Sequence, residues 1–202
     1  MKYSDIDKRK TAFLFELDNV LYPEKDYLFQ VYYLFAALLE YVEQIDAKEA
    51  TDLMVIAYLE KGEDAVFDTV KEKYQLKEAY RANFNHLQVT ANVPLKLLLY
   101  KNMLDLLQQI VVDRKKLFIV TNGDPAQQLH KIKHMEWHGL EKYLVCYFAN
   151  EIKPKPETDV IDMLLNDHNL QRRDVLVIGN SEVDELCAQS CGIDYVNAEQ
   201  FL

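Results

Sequence analysis

Residues 11–18, Thr-Ala-Phe-Leu-Phe-Glu-Leu-Asp, decide how the chain is read. The run Thr11–Phe15 is unbroken by polar alternation and too short for a helix, so it reads as a strand buried on both faces of a sheet. It ends abruptly in two carboxylates, Glu16 and Asp18. Such a strand delivers its acids to the C-terminal edge of the sheet, where open α/β sheets bind their ligands.

Downstream of Pro23 the pattern changes. Leu28, Val31, Tyr32, Phe35, Leu38, Leu39 and Val42 recur at three- and four-residue spacing and predict an amphipathic helix. Asp46 is placed to cap a second helix running to Leu59 and stopped by Gly62, and shorter helices are expected over 63–73 and 77–87. No strand signal falls between Pro23 and Pro94. Beyond Pro94, the residues Leu95, Leu98, Leu99, Met103, Leu106, Leu107 and Ile110 predict one helix face. Apolar strands then follow at 117–120, 144–149 and 174–178, with Ile193–Val196 a candidate fifth. They alternate with helices expected over Pro125–Trp137, Glu157–Asn166 and Glu182–Cys191. The expected organisation is an α/β core with a parallel sheet flanked by helices, residues 10–22 and 95–202, interrupted by an all-α insert at 23–94.

Composition narrows the partners. The 202 residues carry 23 Lys+Arg against 33 Asp+Glu, a formal charge of -10, which argues against a nucleic-acid partner because phosphate-backbone binding needs clustered cations. A hydrophobic content of 50% and an aromatic content of 11% suffice for a buried core. No apolar stretch reaches transmembrane length, and the charged opening MKYSDIDKRK does not read as a signal peptide. Cys146, Cys187 and Cys191 match no disulfide or zinc spacing. A soluble cytoplasmic protein with no membrane partner is the expectation.

Four strands end in polar clusters: Glu16 and Asp18, Thr121 and Asn122, Glu151 and Lys153, Asn180 and Asp184. In one parallel sheet these ends share an edge. Carboxylates facing each other there repel unless cations offset them. Lys153 supplies one positive charge, and a hard divalent ion such as Mg²⁺ would supply the rest. Thr121-Asn122-Gly123, opening a helix, suits an anion held by backbone N–H groups. Carboxylates, a metal, a lysine and an anion cradle together make a phosphoryl-transfer site.

These residues carry a resemblance. FELDNVLYP, VTNG, KPKPE and IGNSEVD are similar to the four ordered motifs of the haloacid dehalogenase-like (HAD) superfamily, and the helical insert matches its small α-helical cap. The resemblance implies a Rossmann-like hydrolase core, a Mg²⁺ cofactor and a small phosphorylated substrate. It also implies roles: the carboxylate at position 16 as nucleophile, Asp18 as acid/base, Thr121 and Asn122 as phosphoryl binders, and Lys153 as the lysine that steadies nucleophile and phosphate. Glu16, the main-chain carbonyl of Asp18, Asn180 and Asp184 would hold the metal.

Two positions depart from the family. Its nucleophilic Asp is Glu16 here, and the added methylene shifts the carboxylate by about one carbon–carbon bond, ~1.5 Å, on an unchanged backbone. The usual first Asp of the last motif is Asn180, which removes a formal negative charge from the metal site. A Mg²⁺-dependent phosphomonoesterase is the leading expectation. A catalytically inactive phosphate-binding or regulatory protein is one alternative, and a metal-free haloacid dehalogenase is the other.

Other patterns read as structural. His130, His134 and His138 are spaced by four, yet two turns and more of helix separate the outer pair by about 12 Å, too far for one ion. Cys187 and Cys191 read as small buried helix residues, and Lys155 as an exposed loop charge. Gly179-Asn180-Ser181 resembles a serine nucleophile elbow, but no histidine follows His168, as that order of residues requires.

Overall fold

The computed structural model describes residues 1–202 and divides the chain into two compact units, Met1–Glu24 with Leu97–Leu202, and Lys25–Lys96. In the first unit, β1 (Ala12–Phe15), β3 (Lys116–Thr121), β5 (Leu144–Phe148), β6 (Val175–Gly179) and β7 (Asp194–Asn197) form one sheet. Its order is β5-β3-β1-β6-β7 and every pairing is parallel. The strand carrying Glu16 is therefore central. All four residues of β1 are buried, as its unbroken apolar run requires of a strand covered on both faces.

One face of the sheet packs on α7 (Asp159–Asp167) and α8 (Glu182–Ser190). Ala12 and Leu14 of β1 meet Phe118 and Val120 of β3 there, under Val160, Ile161, Leu164 and Leu165 of α7. Cys187, Ala188 and Cys191 complete that layer as small buried residues, and all three cysteines are free thiols. Phe13 and Phe15 alternate with Ala12 and Leu14, as the two-residue period of a strand dictates, so β1 contributes to both faces. Helix α5 (Lys101–Val112) packs against β3 and buries Met103, Leu106, Leu107 and Ile110.

The expected helix from Leu95 is corrected. Leu97–Leu98 is instead a short strand, β2, which pairs in parallel with β4, Met135–Glu136. The same pairing ends α6 (Pro125–His134) three residues before the expected Trp137. Residues 95–100 are apolar enough to satisfy either period, and an available strand partner decides between them. Helix α7 also starts later than expected, at Asp159 rather than Glu157.

The second unit is entirely helical: α1 (Lys25–Glu43), α2 (Ala47–Lys61), α3 (Val66–Tyr74) and α4 (Tyr80–Thr90). Asp46 caps α2 by accepting from the Glu49 N–H at 2.7 Å, and Gly62 with φ 84° follows its end. Its core is aromatic. Phe84 of α4 stacks on Tyr32 and meets Phe35 edge-on at 5.1 Å between centroids, with Phe67 at 5.7 Å. No helix is long and apolar enough to cross a membrane.

Candidate active site

Strand register assembles the site. Ala12 to Phe15 lie level with Lys116 to Ile119 on one side and Val175 to Ile178 on the other, so the residues just past all three strands meet at one edge. The Glu16 N–H still donates to the Ile178 carbonyl, at 3.0 Å, which holds the first acid in the plane of the sheet. Glu16, Asp18, Asn122, Asn180 and Asp184 line one cavity of about 310 Å³, together with Asn19, Glu24, Ser181 and Val183. Thr121, fully buried, reaches the same place with its hydroxyl.

The added methylene of Glu16 is taken up by folding back. Its Oε1 accepts from the backbone N–H of the next residue, Leu17, at 2.7 Å, and from the Thr121 hydroxyl. Its Oε2 accepts from the Lys155 ammonium. Lys155, expected as an exposed loop charge, is instead the buried lysine that reaches Glu16, and Lys153 pairs elsewhere. The Lys155 side chain is 5% exposed and also donates to Asp184 and to the Val120 carbonyl. The Lys153 side chain is 58% exposed and pairs with Asp159 at 2.9 Å. The two-residue shift in lysine parallels the two-residue shift in the start of α7. The reciprocal bonds between Asn122 and the Lys155 backbone, N–H to Oδ1 at 2.9 Å and Nδ2 to carbonyl at 3.0 Å, fix the second Lys-Pro pair against the end of β3.

The electrostatics follow from this burial. Desolvation pushes the Glu16 carboxyl above its usual range; Lys155 opposes that shift and Asp184 reinforces it. Burial acts to lower Lys155, but Glu16 and Asp184 outweigh it and hold the ammonium above its ordinary value. Burial likewise acts to raise Asp184, yet Lys155 and the Ser181 bonds prevail and leave it below the usual carboxylate range. Ser181 is the N-cap of α8, and its hydroxyl donates to Asp184 Oδ2 at 2.6 Å while accepting from the Asp184 N–H at 3.2 Å.

Asp18 is held by Tyr22 and by two residues that the sequence reading did not single out, Gln128 and Lys131. Its Oδ1 accepts from the Tyr22 hydroxyl at 2.7 Å, and its Oδ2 accepts from Gln128 Nε2 and Lys131 Nζ, each at 2.8 Å. Gln128 and Lys131 sit on α6, whose first turn is capped by the Asp124 carboxylate accepting from the Gln127 N–H at 3.0 Å. Their three-residue spacing puts them on one helix face, the one signal the sequence held for them. The Gly123 N–H, part of the expected anion cradle, donates to Asn150 Oδ1 at 3.1 Å. His130 and His134 have ring centroids 4.1 Å apart on α6, and His138 lies beyond its end.

The cavity wall tests for a metal. No three His, Cys, Asp or Glu side chains are arranged to hold an ion by themselves. The side chains lining the cavity bring carboxylate, amide and hydroxyl oxygens, hard donors of the kind Mg²⁺ takes, and no lysine, arginine or histidine lines it. The donor chemistry fits a hard divalent ion held by a few carboxylates, an amide and a main-chain carbonyl. Asn180 brings its amide to the Asp18 carbonyl, with Nδ2 3.5 Å from that oxygen.

Residues 13–198 match the family model described as haloacid dehalogenase-like hydrolase. No curated protein matches the chain. Solved structures share the fold. A HAD phosphatase from Thermococcus onnurineus is 21% identical with a TM-score of 0.57, over 92% of this chain and 84% of that one. The magnesium-bound YfnB protein of Bacillus subtilis is 18% identical with a TM-score of 0.59, over 93% and 86%. A HAD family hydrolase from Deinococcus radiodurans with bound phosphate and sodium is 17% identical with a TM-score of 0.57, over 95% and 81%.

Proposed function

The chain belongs to the haloacid dehalogenase-like hydrolase family, and from that premise we propose that its sheet-edge site is a Mg²⁺-dependent phosphomonoesterase acting on a small phosphorylated metabolite. The observation that carries this reading is the convergence of Thr121 and Lys155 on the Glu16 carboxylate. A carboxylate held by a hydroxyl and an ammonium, and opening on a polar cavity, suits nucleophilic attack on an anionic ester.

In this reading Glu16 attacks phosphorus, the ester P–O bond breaks, and Asp18 hands a proton to the departing oxygen. Asp18, then a base, takes a proton from water as that water cleaves the glutamyl phosphate. Thr121 and Asn122 receive the phosphoryl oxygens, and Lys155 offsets their charge. Glu16, the Asp18 carbonyl, Asn180 and Asp184 would hold Mg²⁺, which supplies positive charge against the phosphoryl group when bound. The helical unit Lys25–Lys96 falls in sequence where the family carries its α-helical cap, and we assign it that role.

A second reading, a phosphate-binding protein without turnover, is favoured by one observation: an amide N–H of Asn180, not a carboxylate, faces the Asp18 carbonyl. An assay on a panel of phosphate monoesters with Mg²⁺ separates the two. The esterase reading expects turnover in the wild type, its loss in Glu16→Gln, and a fall in Asp18→Asn of about a hundredfold or more. A silent wild type that becomes active as Glu16→Asp/Asn180→Asp would overturn it in favour of binding. Fluoride release from a haloacid without metal would point to C–halogen cleavage instead.

A further inference from the structure

We propose that Gln128 and Lys131 are positioning residues that set the Asp18 carboxylate and couple it to Thr121, an inference resting on the assignment of Asp18 as the acid/base. Both are unusually buried for their types, with Gln128 and Lys131 each 2% exposed. A lysine is almost never buried without a dedicated partner. The Lys131 ammonium has Asp18 at 2.8 Å and Glu24 at 3.4 Å, so its charge is spent inside the site. Glu24 is itself tied back to the loop after β1: its N–H donates to Asn19 Oδ1 at 3.1 Å and its carboxylate accepts from Asn19 Nδ2 at 3.2 Å.

Gln128 is the more telling of the two. Its Nε2 lies 2.8 Å from Asp18 Oδ2, 2.8 Å from Thr121 Oγ1 and 2.9 Å from the Asn122 carbonyl. An amide NH₂ carries two hydrogens, so three acceptors compete for two donors. Its Oε1 is buried and meets no donor from the protein. A buried acceptor without a partner opposes folding, and rotating the amide would bring that oxygen against three acceptors. The side chain therefore serves the site with its nitrogen end at the expense of its oxygen end. The Thr121 hydroxyl donates to Glu16 and so accepts from Gln128. One amide thus links the proposed nucleophile's partner to the proposed acid/base across the end of the sheet.

This arrangement leaves Asp18 one orientation. Tyr22 holds Oδ1, while Gln128 and Lys131 together hold Oδ2. A carboxylate pinned at both oxygens presents its one remaining lone pair, on Oδ1, in a single direction, and misplacement of a reacting group by about 1 Å costs roughly a hundredfold in rate.

The test compares Gln128→Met, Lys131→Met and Lys131→Arg, alone and in an Asp18→Asn background, by steady-state kinetics, thermal unfolding and crystal structures. Both Met variants are expected to lower kcat about tenfold or more while KM stays within about twofold. Lys131→Arg should recover part of the loss, and neither Met substitution should lower kcat further once Asp18 is Asn. A loss that persists in the Asp18→Asn background, or one confined to KM, overturns the proposal. Crystal structures give the readout independent of activity: the Asp18 carboxylate should leave its position in Lys131→Met and in Gln128→Met, and a carboxylate unmoved in either also overturns it. If the wild type hydrolyses no ester, the esterase reading fails, while the structures still decide whether these two residues position Asp18.

Discussion

Lys155 holds two carboxylates on one ammonium in nearly dry surroundings. Its side chain is 5% exposed, against 12% for Glu16 and 2% for Asp184. Such a group cannot be removed alone without leaving two acids facing each other away from water, and breaking a buried pair from one side typically costs about 3–5 kcal/mol. Lys155→Ala should therefore lower stability by about that amount in urea unfolding, in addition to abolishing any turnover. Lys153→Ala, which removes a solvent-exposed pair with Asp159, should leave the unfolding midpoint and the activity unchanged. The reverse pattern would return the site to Lys153. The repeated Lys-Pro of residues 153–156 explains why the sequence reading took Lys153 instead: both lysines precede a proline and both lie near a strand end. What separates them is the start of α7 and the Asn122 backbone clamp, and boundaries of that kind are set by packing.

At the level of elements, the turn from β6 into α8 has little room to vary. A Cβ on Gly179 would lie 2.5 Å from Asp184 Cβ and 2.7 Å from its Cγ and Oδ2, closer than carbon and oxygen tolerate. Asp184 is pinned by Ser181 and Lys155, so it has nowhere to yield without breaking those bonds. Gly179→Ala should destabilise the protein by about 1–3 kcal/mol and impair the site together with it. Unfolding by urea and the ester assay check both, and a variant with unchanged activity would show that Asp184 is not needed where it stands. The strands were legible because each is a short apolar run closed by polar residues, and β1, β3 and β6 stand where those runs fall. The helical insert was legible from its three- and four-residue spacing. Leu97–Leu98 and Met135–Glu136 were not, because a two-residue parallel pair has no period and depends wholly on what lies beside it. The contribution of α6 was hidden for another reason: Gln128 and Lys131 are ordinary surface residue types, and only the fold reveals that they are buried.

Across the whole molecule, charge works against the proposed substrate. The chain carries a formal -10, and the cavity wall itself holds Glu16, Asp18, Glu24 and Asp184. Two lysines of the site are committed, Lys155 to Glu16 and Asp184, and Lys131 to Asp18 and Glu24. An anionic ester approaching this surface meets a repulsive field, unlike the steering that a basic cleft provides. Two consequences follow for a phosphomonoesterase of this design. Removing divalent metal with a chelator should abolish ester turnover, because Lys155 already balances Glu16 and Asp184 and cannot by itself offset the phosphoryl charge as well. Raising salt at saturating Mg²⁺ should increase kcat/KM, because screening shortens the reach of the field from roughly 30 Å at 0.01 M to about 8 Å at 0.15 M ionic strength. A substrate drawn in by surface cations would show the opposite slope. A fall in kcat/KM with salt at saturating Mg²⁺ would therefore mean that the ester is steered in by cations outside this cavity.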